Sequence, residues 1–151
     1  MRSLSFICDI MEKYVDLINP SLDAGYMVIS DKYKEESFVY SPLFGSRKEV
    51  IYPFIEILPN PDIYIYLDIT PSVSYERLIN RANTTNEKLT LKDKLENMEN
   101  SKLKFDEFYN NNTSCYRIDA NQKIINVHND VIRLLKGISF FTDYTISKHL
   151  F

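Results

Sequence analysis

The chain has 151 residues, of which 44% are hydrophobic and 26% are charged, and its formal net charge is −3. A chain of this length can bury one hydrophobic core, and no stretch approaches the roughly 20 apolar residues of a membrane span, so we expect a single domain over residues 1–151 that does not cross a membrane. The negative net charge argues against a nucleic-acid surface, which requires clustered lysine and arginine.

The N-terminal segment and the cysteines bear on where the protein works. The first 14 residues include acids and lack a continuous apolar run, which predicts no secretory signal and a cytoplasmic location. Cys8 and Cys115 are too few for a disulfide framework, and together with His128 and His149 they show no metal-ligand spacing. We therefore expect reduced thiols and no metal site built from these residues.

The first half of the chain predicts a helix, a strand and a second helical region. Apolar residues recur at helical spacing from residue 4 to residue 22, and Gly25 follows as a stop signal. The apolar and β-branched stretch YMVIS, residues 26–30, predicts a buried strand. Residues 34–58 resume helical character, with breaks or kinks expected at the prolines within them.

The second half alternates strands and helices. A strand is predicted at residues 62–70, and Pro71 suits the first turn of the helix that follows. A long charged helix is predicted from about Lys88 to Tyr109, then a strand at CYRID, residues 115–119, and a helix at 122–136. This alternation predicts an α/β fold with a parallel sheet and helices on both faces.

Charged side chains follow both of the first two predicted strands. In open parallel sheets, ligands bind beyond the carboxyl ends of the strands, and VISDKY delivers Asp31 and Lys32 to that edge. Charged residues also occur there because the chain leaves the core, so position alone leaves both interpretations open. Asp68 ends the next strand and would either contact a metal or cap the following helix.

Several short motifs occur in a fixed order with fitting spacings. They are Leu4-x-Phe6, Pro20-x-Leu22-x-x-Gly25, the strand ending in Asp31-Lys32-Tyr33, the segment PDIYIYLDITPSVSYERLINR, and the closing segment YRIDANQKIINVHNDVIRLL. No single motif is specific, but the ordered set over residues 4–136 resembles the thymidylate kinase family, which are nucleoside monophosphate kinases.

The resemblance implies a P-loop kinase fold and transfer of the γ-phosphoryl group of ATP, with Mg²⁺, to a nucleoside monophosphate, which in this family is dTMP. It also implies a possible homodimer formed through helix faces. Such chemistry relies on positioning and on cations that neutralise the phosphate oxygens. The implied catalytic residues are Asp31, Lys32, Arg77 and Arg81, and the implied substrate-binding residues are Phe6, Tyr33, Ser37 and Tyr40.

Each implied role has a structural alternative. Phe6 would stack on the thymine ring, but it also fits the apolar face of a helix core. Arg77 and Arg81 lie one helical turn apart and would lead into a lid over the transferring phosphate. Solvation of a helix surface, or pairing with Glu76, explains that spacing equally well.

Some residues depart from the family pattern. Ile10 stands where the family has an arginine, Lys32 replaces an arginine and loses bidentate phosphate recognition, and Ser41 replaces a glutamine that reads the base. Glu36 stands where the family has a serine, and with Glu35 it would repel a phosphate. These changes predict weaker acceptor recognition and leave the base preference open.

The phosphate-cradling motif G-x-x-x-x-G-K-[ST] is absent from these 151 residues. Their three glycines are Gly25, Gly45 and Gly137, and none precedes a lysine. The resemblance places that loop, and the central strand before it, upstream of this sequence. We therefore expect a truncated domain whose sheet lacks its first strand, between YMVIS and the strand at 62–70.

A gap of this kind has three expected outcomes. The flanking strands close up, another segment or chain fills the space, or the sequence is a fragment of a longer protein. Residues 137–151 form an expected C-terminal extension, which would either pack over the core or act as a strand.

Two classes of function remain open at this point. The first is a thymidylate-kinase-like nucleotide-binding protein, either a fragment of an active kinase or a degenerate relative. The second is a non-catalytic remnant that binds a nucleotide weakly or acts through protein contacts. Another nucleoside or nucleoside monophosphate kinase is a further enzymatic alternative.

Overall fold

A computed structural model of the chain describes residues 2–138. The predicted extension over residues 137–151 therefore lies almost wholly outside the described residues. The elements are α1 (Arg2–Lys13), which continues through a π-helical turn (Tyr14–Ile18) into α2 (Asn19–Asp23), then α3 (Lys34–Tyr40), α4 (Lys48–Ile57), β1 (Tyr64–Asp68), α5 (Pro71–Thr85), a 3₁₀ turn (Leu91–Asp93), α6 (Leu95–Asn110), β2 (Cys115–Asp119) and α7 (Ile124–Gly137).

The N-terminal helix is confirmed, and it ends for the predicted reason. The amide of Gly25 donates to the carbonyl oxygen of Leu22 at 2.9 Å, and the amide of Tyr26 donates to Ser21 at 2.9 Å. Gly25 has a φ of +81°, a left-handed conformation that glycine adopts without the clash of a side chain. The stop signal read from the sequence is thus a left-handed helix terminus.

The two strands pair in parallel, in register from Tyr64 opposite Cys115 to Asp68 opposite Asp119. Helices α5 and α6 occupy the connection between them, as expected for parallel strands, which cannot be joined by a tight turn. The α/β fold class is confirmed.

The prediction of a strand at residues 26–30 is wrong. Within residues 2–138 the sheet contains β1 and β2, and YMVIS pairs with neither of them. Tyr26 and Ile29 are 69% and 78% exposed. A strand needs a neighbour for its backbone groups, and none of the described segments supplies one. Of the three outcomes considered for the gap, closing of YMVIS against β1 does not occur in the described part of the chain.

The remaining boundary differences have local causes. Helix α3 ends before Pro42, as predicted, whereas Pro53 lies inside α4. The charged helix begins at Leu95 instead of near Lys88, because a capping box between Thr90 and Asp93 closes a separate 3₁₀ turn first.

The hydrophobic core joins the N-terminal helices to the sheet. Ile7, Ile51 and Ile55 form its buried aliphatic cluster between α1 and α4. Aromatic rings of α6 continue this core over β1, where the ring centroids of Tyr66 and Tyr109 are 4.5 Å apart in a stacked arrangement.

A network of four charges ties β1, β2 and α6 together. The ammonium of Lys102 lies 3.0 Å from Asp68 and 2.6 Å from Asp106, and one guanidinium nitrogen of Arg117 lies 2.8 Å from each of the same two carboxylates. Both cations also lie over the ring of Tyr66, at 5.6 and 5.0 Å from its centroid. Asp68 thus serves as an ion-pair partner of these residues.

The network also shifts the pKa of one of its members. Burial alone would raise the pKa of Asp106, but the hydrogen bonds from Lys102 and Arg117 outweigh it and hold that pKa below the usual range. A carboxyl whose folded-state pKa is lowered adds stability above its unfolded-state pKa, and this contribution is lost as the pH falls through the folded-state value.

We expect the substitution Lys102→Met to lower the free energy of unfolding by about 1 kcal/mol at pH 7, because it leaves partly buried carboxylates with one cation instead of two. The measurement is urea denaturation of both proteins. The loss should shrink as acidification protonates Asp106. The control is Lys13→Met, which breaks an exposed pair with Asp9 of 2.7 Å and should cost roughly 0.3 kcal/mol. Equal losses of unfolding free energy in the two variants would show that the network stabilises the fold no more than an exposed ion pair does.

Candidate functional site

A cavity of about 200 Å³ lies between α1, α3 and the 3₁₀ turn before α6. Phe6, Ser37 and Tyr40, three of the four predicted substrate-binding residues, line it together. Its complete lining is Ser3, Phe6, Glu36, Ser37, Tyr40, Ser41, Phe44 and Lys92.

Helical spacing explains most of this lining. Residues four apart lie on the same face of a helix, which brings Glu36, Tyr40 and the following Phe44 to one side of α3 and its C-terminal turn. Ser37 and Ser41 form the parallel row beside them. Helix α3 therefore presents a face of rings, hydroxyls and one carboxylate to the cavity.

Tyr40 is the best-fixed aromatic wall of the cavity. Its ring meets Phe105 of α6 edge to face at a centroid distance of 5.8 Å, and the ammonium of Lys92 lies 5.5 Å from its centroid. Burial, followed by the negative charges of Glu36 and Asp93, raises the pKa of Tyr40 to about 12. The phenol is therefore neutral near pH 7 and keeps its proton for donation.

Ser37 is the most deeply buried of the predicted site residues. Ser37 is 3% exposed, and its Oγ has no hydrogen-bond partner among the described residues. A buried polar atom without a partner is costly, so such atoms in native structures call for an explanation. Ser37 lines the cavity, but its Oγ has almost no solvent-accessible surface and is enclosed by the protein.

Asp31 and Lys32 lie in the turn before α3. Lys32 has a φ of +69°, and its ammonium pairs with Glu36 at 3.9 Å. Ser30 Oγ donates to the Lys32 carbonyl at 2.9 Å and holds the turn. Asp31 is exposed. Neither Asp31 nor Lys32 lines the cavity, although Glu36 connects Lys32 to its wall.

The two arginines of α5 make other contacts. Arg77 donates to the carbonyl oxygens of Ala120 at 2.8 Å, Asn121 at 3.0 Å and Gln122 at 2.9 Å, and so fixes the loop after β2. Arg81 forms a two-pronged pair with Glu87 at 2.9 and 3.2 Å. The structure does not bring either of them to the cavity, and their roles at a phosphate stay predictions.

Tyr33, the fourth predicted substrate-binding residue, lies at the start of α3, away from the cavity lining. Its amide donates to Glu35 Oε1 at 2.9 Å, and burial raises the pKa of its phenol to about 12. Glu35 is 8% exposed, and its Oε2 and the hydroxyl of Tyr64 are buried without hydrogen-bond partners among residues 2–138. Burial is the main cause of the raised pKa of Glu35.

Sequence reasoning missed Ser3, Phe44 and Lys92 as cavity residues. Ser3 precedes Phe6 by three positions and Phe44 follows Tyr40 by four, so helical spacing could have added both. Lys92 comes more than 50 residues after Tyr40 along the chain, and no local pattern links the two.

ATP and Mg²⁺, the cofactors implied by the resemblance, have no matching site among the described residues. The described residues contain no group of three or more His, Cys, Asp or Glu side chains that could hold a metal ion. The 151 residues contain no P-loop motif, and the described glycines do not open a phosphate-binding helix. These residues therefore do not form a cradle for ATP. In addition, no helix between residues 2 and 138 is long and apolar enough to cross a membrane.

The parallel α/β fold and the ordered motifs are consistent with the nucleotide kinase class of folds. The sequence profile of the family described as Thymidylate kinase matches residues 1–131. The chain belongs to the thymidylate kinase family, which confirms the resemblance read from its motifs.

Individual relatives agree with this assignment. A probable thymidylate kinase from Pyrobaculum aerophilum is 35% identical over 79 residues, which cover 52% of this chain and 41% of that protein. The thymidylate kinase of Desulfotalea psychrophila is 31% identical over 136 residues, covering 88% of this chain and 63% of that protein. The thymidylate kinase of Pseudoalteromonas translucida is 27% identical over 135 residues, covering 85% and 61%. The chain thus spans about 41 to 63% of the length of these relatives.

The raised pKa of Glu35 predicts a pH-dependent stability. The folded state holds this proton more tightly than the unfolded state, so the stabilising contribution is present below the unfolded-state pKa and is lost as the pH rises through the folded-state value. We expect Glu35→Gln to remove that loss, so that the variant gains stability relative to the original chain between acidic and neutral pH. Urea denaturation from pH 4 to pH 8 measures this, with exposed Glu56→Gln as the control. Parallel stability curves for all three proteins would refute the prediction.

Proposed function

We propose that this chain binds a nucleoside monophosphate, dTMP, in the cavity between α1 and α3, as the acceptor site of a thymidylate-kinase-type phosphotransfer. The observation that carries this proposal is the convergence of Phe6, Ser37 and Tyr40 on one cavity. The motif match implied binding roles for these residues, and more than 30 positions separate Phe6 from the other two. Membership of the thymidylate kinase family and the names of the relatives support the same ligand.

The size and chemistry of the cavity suit the base of such a ligand. At about 200 Å³ it is smaller than the roughly 300–1,000 Å³ of sites that enclose a whole drug-sized molecule, so we place the planar base inside and the sugar and phosphate at the mouth. Phe6 and Tyr40 offer ring faces for stacking, and Ser37 lies beside Tyr40 in the cavity wall.

The proposed site accounts for the acceptor of the reaction and not for the phosphoryl donor. In the family reaction ATP supplies the phosphoryl group with Mg²⁺, but the residues present do not form a cradle for it, so acceptor binding is the activity that we assign to these 151 residues. Asp31, Lys32, Arg77 and Arg81 keep the phosphate-contacting roles that the resemblance implies. To fill theirs, Arg77 and Arg81 would have to leave their present partners.

The remaining proposals rest on the length, composition and charge of the chain and, for the homodimer, on the family. They are a single domain over residues 1–151, a homodimer formed through helix faces, a cytoplasmic location, and no binding to nucleic acid or membranes. None of them is needed for the cavity to bind its ligand.

One observation favours a second candidate function. The carboxylate of Glu36 lines the cavity and would repel a phosphate group placed beside it. A neutral nucleoside would avoid that repulsion and could donate a hydroxyl or ring N–H to Glu36. The second candidate is therefore a site for a nucleoside, either in a nucleoside kinase or in a non-catalytic binding protein.

We expect Phe6→Ala to weaken dTMP binding about tenfold, since stacking of a base on an aromatic ring contributes about 1–3 kcal/mol. Isothermal titration calorimetry of the purified chain with dTMP is the measurement. Phe54→Ala, on the exposed side of α4 and outside the cavity lining, is the matched control and should bind as the original chain does.

A second variant distinguishes loss of the aromatic ring from unfolding of the chain. Phe6→Leu keeps an apolar side chain in α1 but loses the ring, so it should fold and still bind weakly. Absence of dTMP binding by the original chain, or equal weakening in Phe54→Ala, would refute the proposed site.

We also expect no ATP-dependent conversion of dTMP to dTDP by the purified 151-residue chain in the presence of Mg²⁺, because these residues carry no phosphate cradle. Chromatographic detection of dTDP measures this, with the thymidylate kinase of Desulfotalea psychrophila as the positive control. Product formation in proportion to the concentration of the chain would show that the phosphates are held by residues other than a P-loop.

A further inference from the structure

We propose that Lys92 binds the phosphate of the acceptor nucleotide in this cavity. The inference rests on the proposed nucleotide site and assigns a phosphate-binding cation to it, a role that neither the motif match nor the family comparison places at this residue. A phosphate-binding Lys92 would also favour a nucleotide over a nucleoside as the ligand.

Lys92 is the only lysine or arginine in the described part of the chain that lines the cavity. Its side chain is half-buried, and its ammonium lies 5.5 Å from the centroid of the Tyr40 ring. Within residues 2–138, no carboxylate lies within 4 Å of that ammonium. Its charge is therefore available to an anion, in contrast to a lysine that is already neutralised by an ion pair.

The other cations implied by the resemblance already have partners. Lys32 pairs with Glu36, Arg77 donates to three carbonyl oxygens, and Arg81 pairs with Glu87. A nucleoside monophosphate carries between one and two negative charges near neutral pH and needs a cation beside it. Lys92 can supply that charge without breaking an existing contact to the protein other than the cation–π contact with Tyr40.

The backbone around Lys92 is held in place. The amide and hydroxyl of Thr90 both donate to Asp93 Oδ2 at 2.6 Å, and the side chain of Asn97 donates to the carbonyl of Leu91 at 2.8 Å. These bonds close the 3₁₀ turn on both sides of Lys92. A fixed turn that presents a lysine lowers the ordering cost of binding.

The cavity lining then has two charged groups with opposite requirements. Lys92 requires an anion, whereas Glu36, one helical turn before Tyr40, requires an N–H or O–H donor. A nucleoside monophosphate satisfies both, with its phosphate at Lys92 and a sugar hydroxyl or ring N–H at Glu36. A nucleoside alone offers no anion to Lys92, and inorganic phosphate offers no base to the aromatic rings.

The experiment compares dTMP, thymidine and inorganic phosphate as ligands of the 151-residue chain and its variants by calorimetry. For Lys92→Gln we expect the Kd for dTMP to rise about tenfold and the Kd for thymidine to stay unchanged. Lys92→Arg should retain most of the affinity for dTMP. Lys88→Gln, which removes the same charge from an exposed residue outside the cavity, is the matched control and should change neither Kd.

Each failure has a distinct meaning. If the original chain binds neither dTMP nor thymidine, the proposed function itself is wrong. If it binds both but Lys92→Gln leaves dTMP unaffected, the site stands and the role of Lys92 is refuted. If Lys92→Gln weakens thymidine as much as dTMP, Lys92 acts by supporting Tyr40 and the phosphate assignment is refuted.

Discussion

The charge network over Tyr66 is the constraint on which the rest of the described structure depends. Two parallel strands form a small sheet that is marginal by itself, and an ion pair between Asp68, at the carboxyl end of β1, and Arg117, in the middle of β2, joins those strands. Lys102 and Asp106 extend the same network to α6. Since each cation meets two carboxylates and one ring face, the position of α6 on the sheet is fixed by several contacts that reinforce one another.

The fixed position of α6 in turn determines the cavity. Rings of α6 contact α3 twice, where Phe105 meets Tyr40 at 5.8 Å and Phe108 meets Phe38 at 5.4 Å. The start of α3 is anchored separately, because the buried ammonium of Lys34 donates to the carbonyl of Leu58 at 2.7 Å. Helix α3 is thus held from both ends, and its free face carries the groups that line the cavity. The aromatic wall of the candidate site is a consequence of the packing that stabilises the sheet.

Local patterns predicted most elements of the fold, and long-range relations account for the failures. Helix α1, both paired strands and α7 follow from periodicity and turn residues, which act over a few positions. YMVIS has the composition of a buried strand but lies unpaired, because a strand forms only when a neighbour satisfies its backbone. No pattern within five residues can reveal whether that neighbour is present.

The same distinction applies to the site. Spacing along α1 and α3 groups Phe6, Ser37 and Tyr40 on faces that can meet, so helical geometry and the motif match together anticipated the cavity. The partners of Arg77 were not predictable, because they are carbonyl oxygens more than 40 residues away that carry no signal in the sequence. Lys92 was not predicted for the site but lies in it. It is an ordinary charged residue in a polar segment, and only the packing of α6 on α3 brings it to the cavity.

Acceptor binding and phosphoryl transfer, which the family reaction combines, place different requirements on these residues. Every residue that lines the cavity comes from α1, from α3 with its C-terminal turn, or from the turn at Lys92, and the anchors of these elements all lie within the described residues. Recognition of an acceptor therefore depends on contacts that this chain makes itself. Transfer of a phosphoryl group depends on a donor site for which these residues provide no backbone cradle. Because the two requirements fall on different parts of the family fold, the proposed acceptor binding can be measured on these 151 residues independently of phosphoryl transfer.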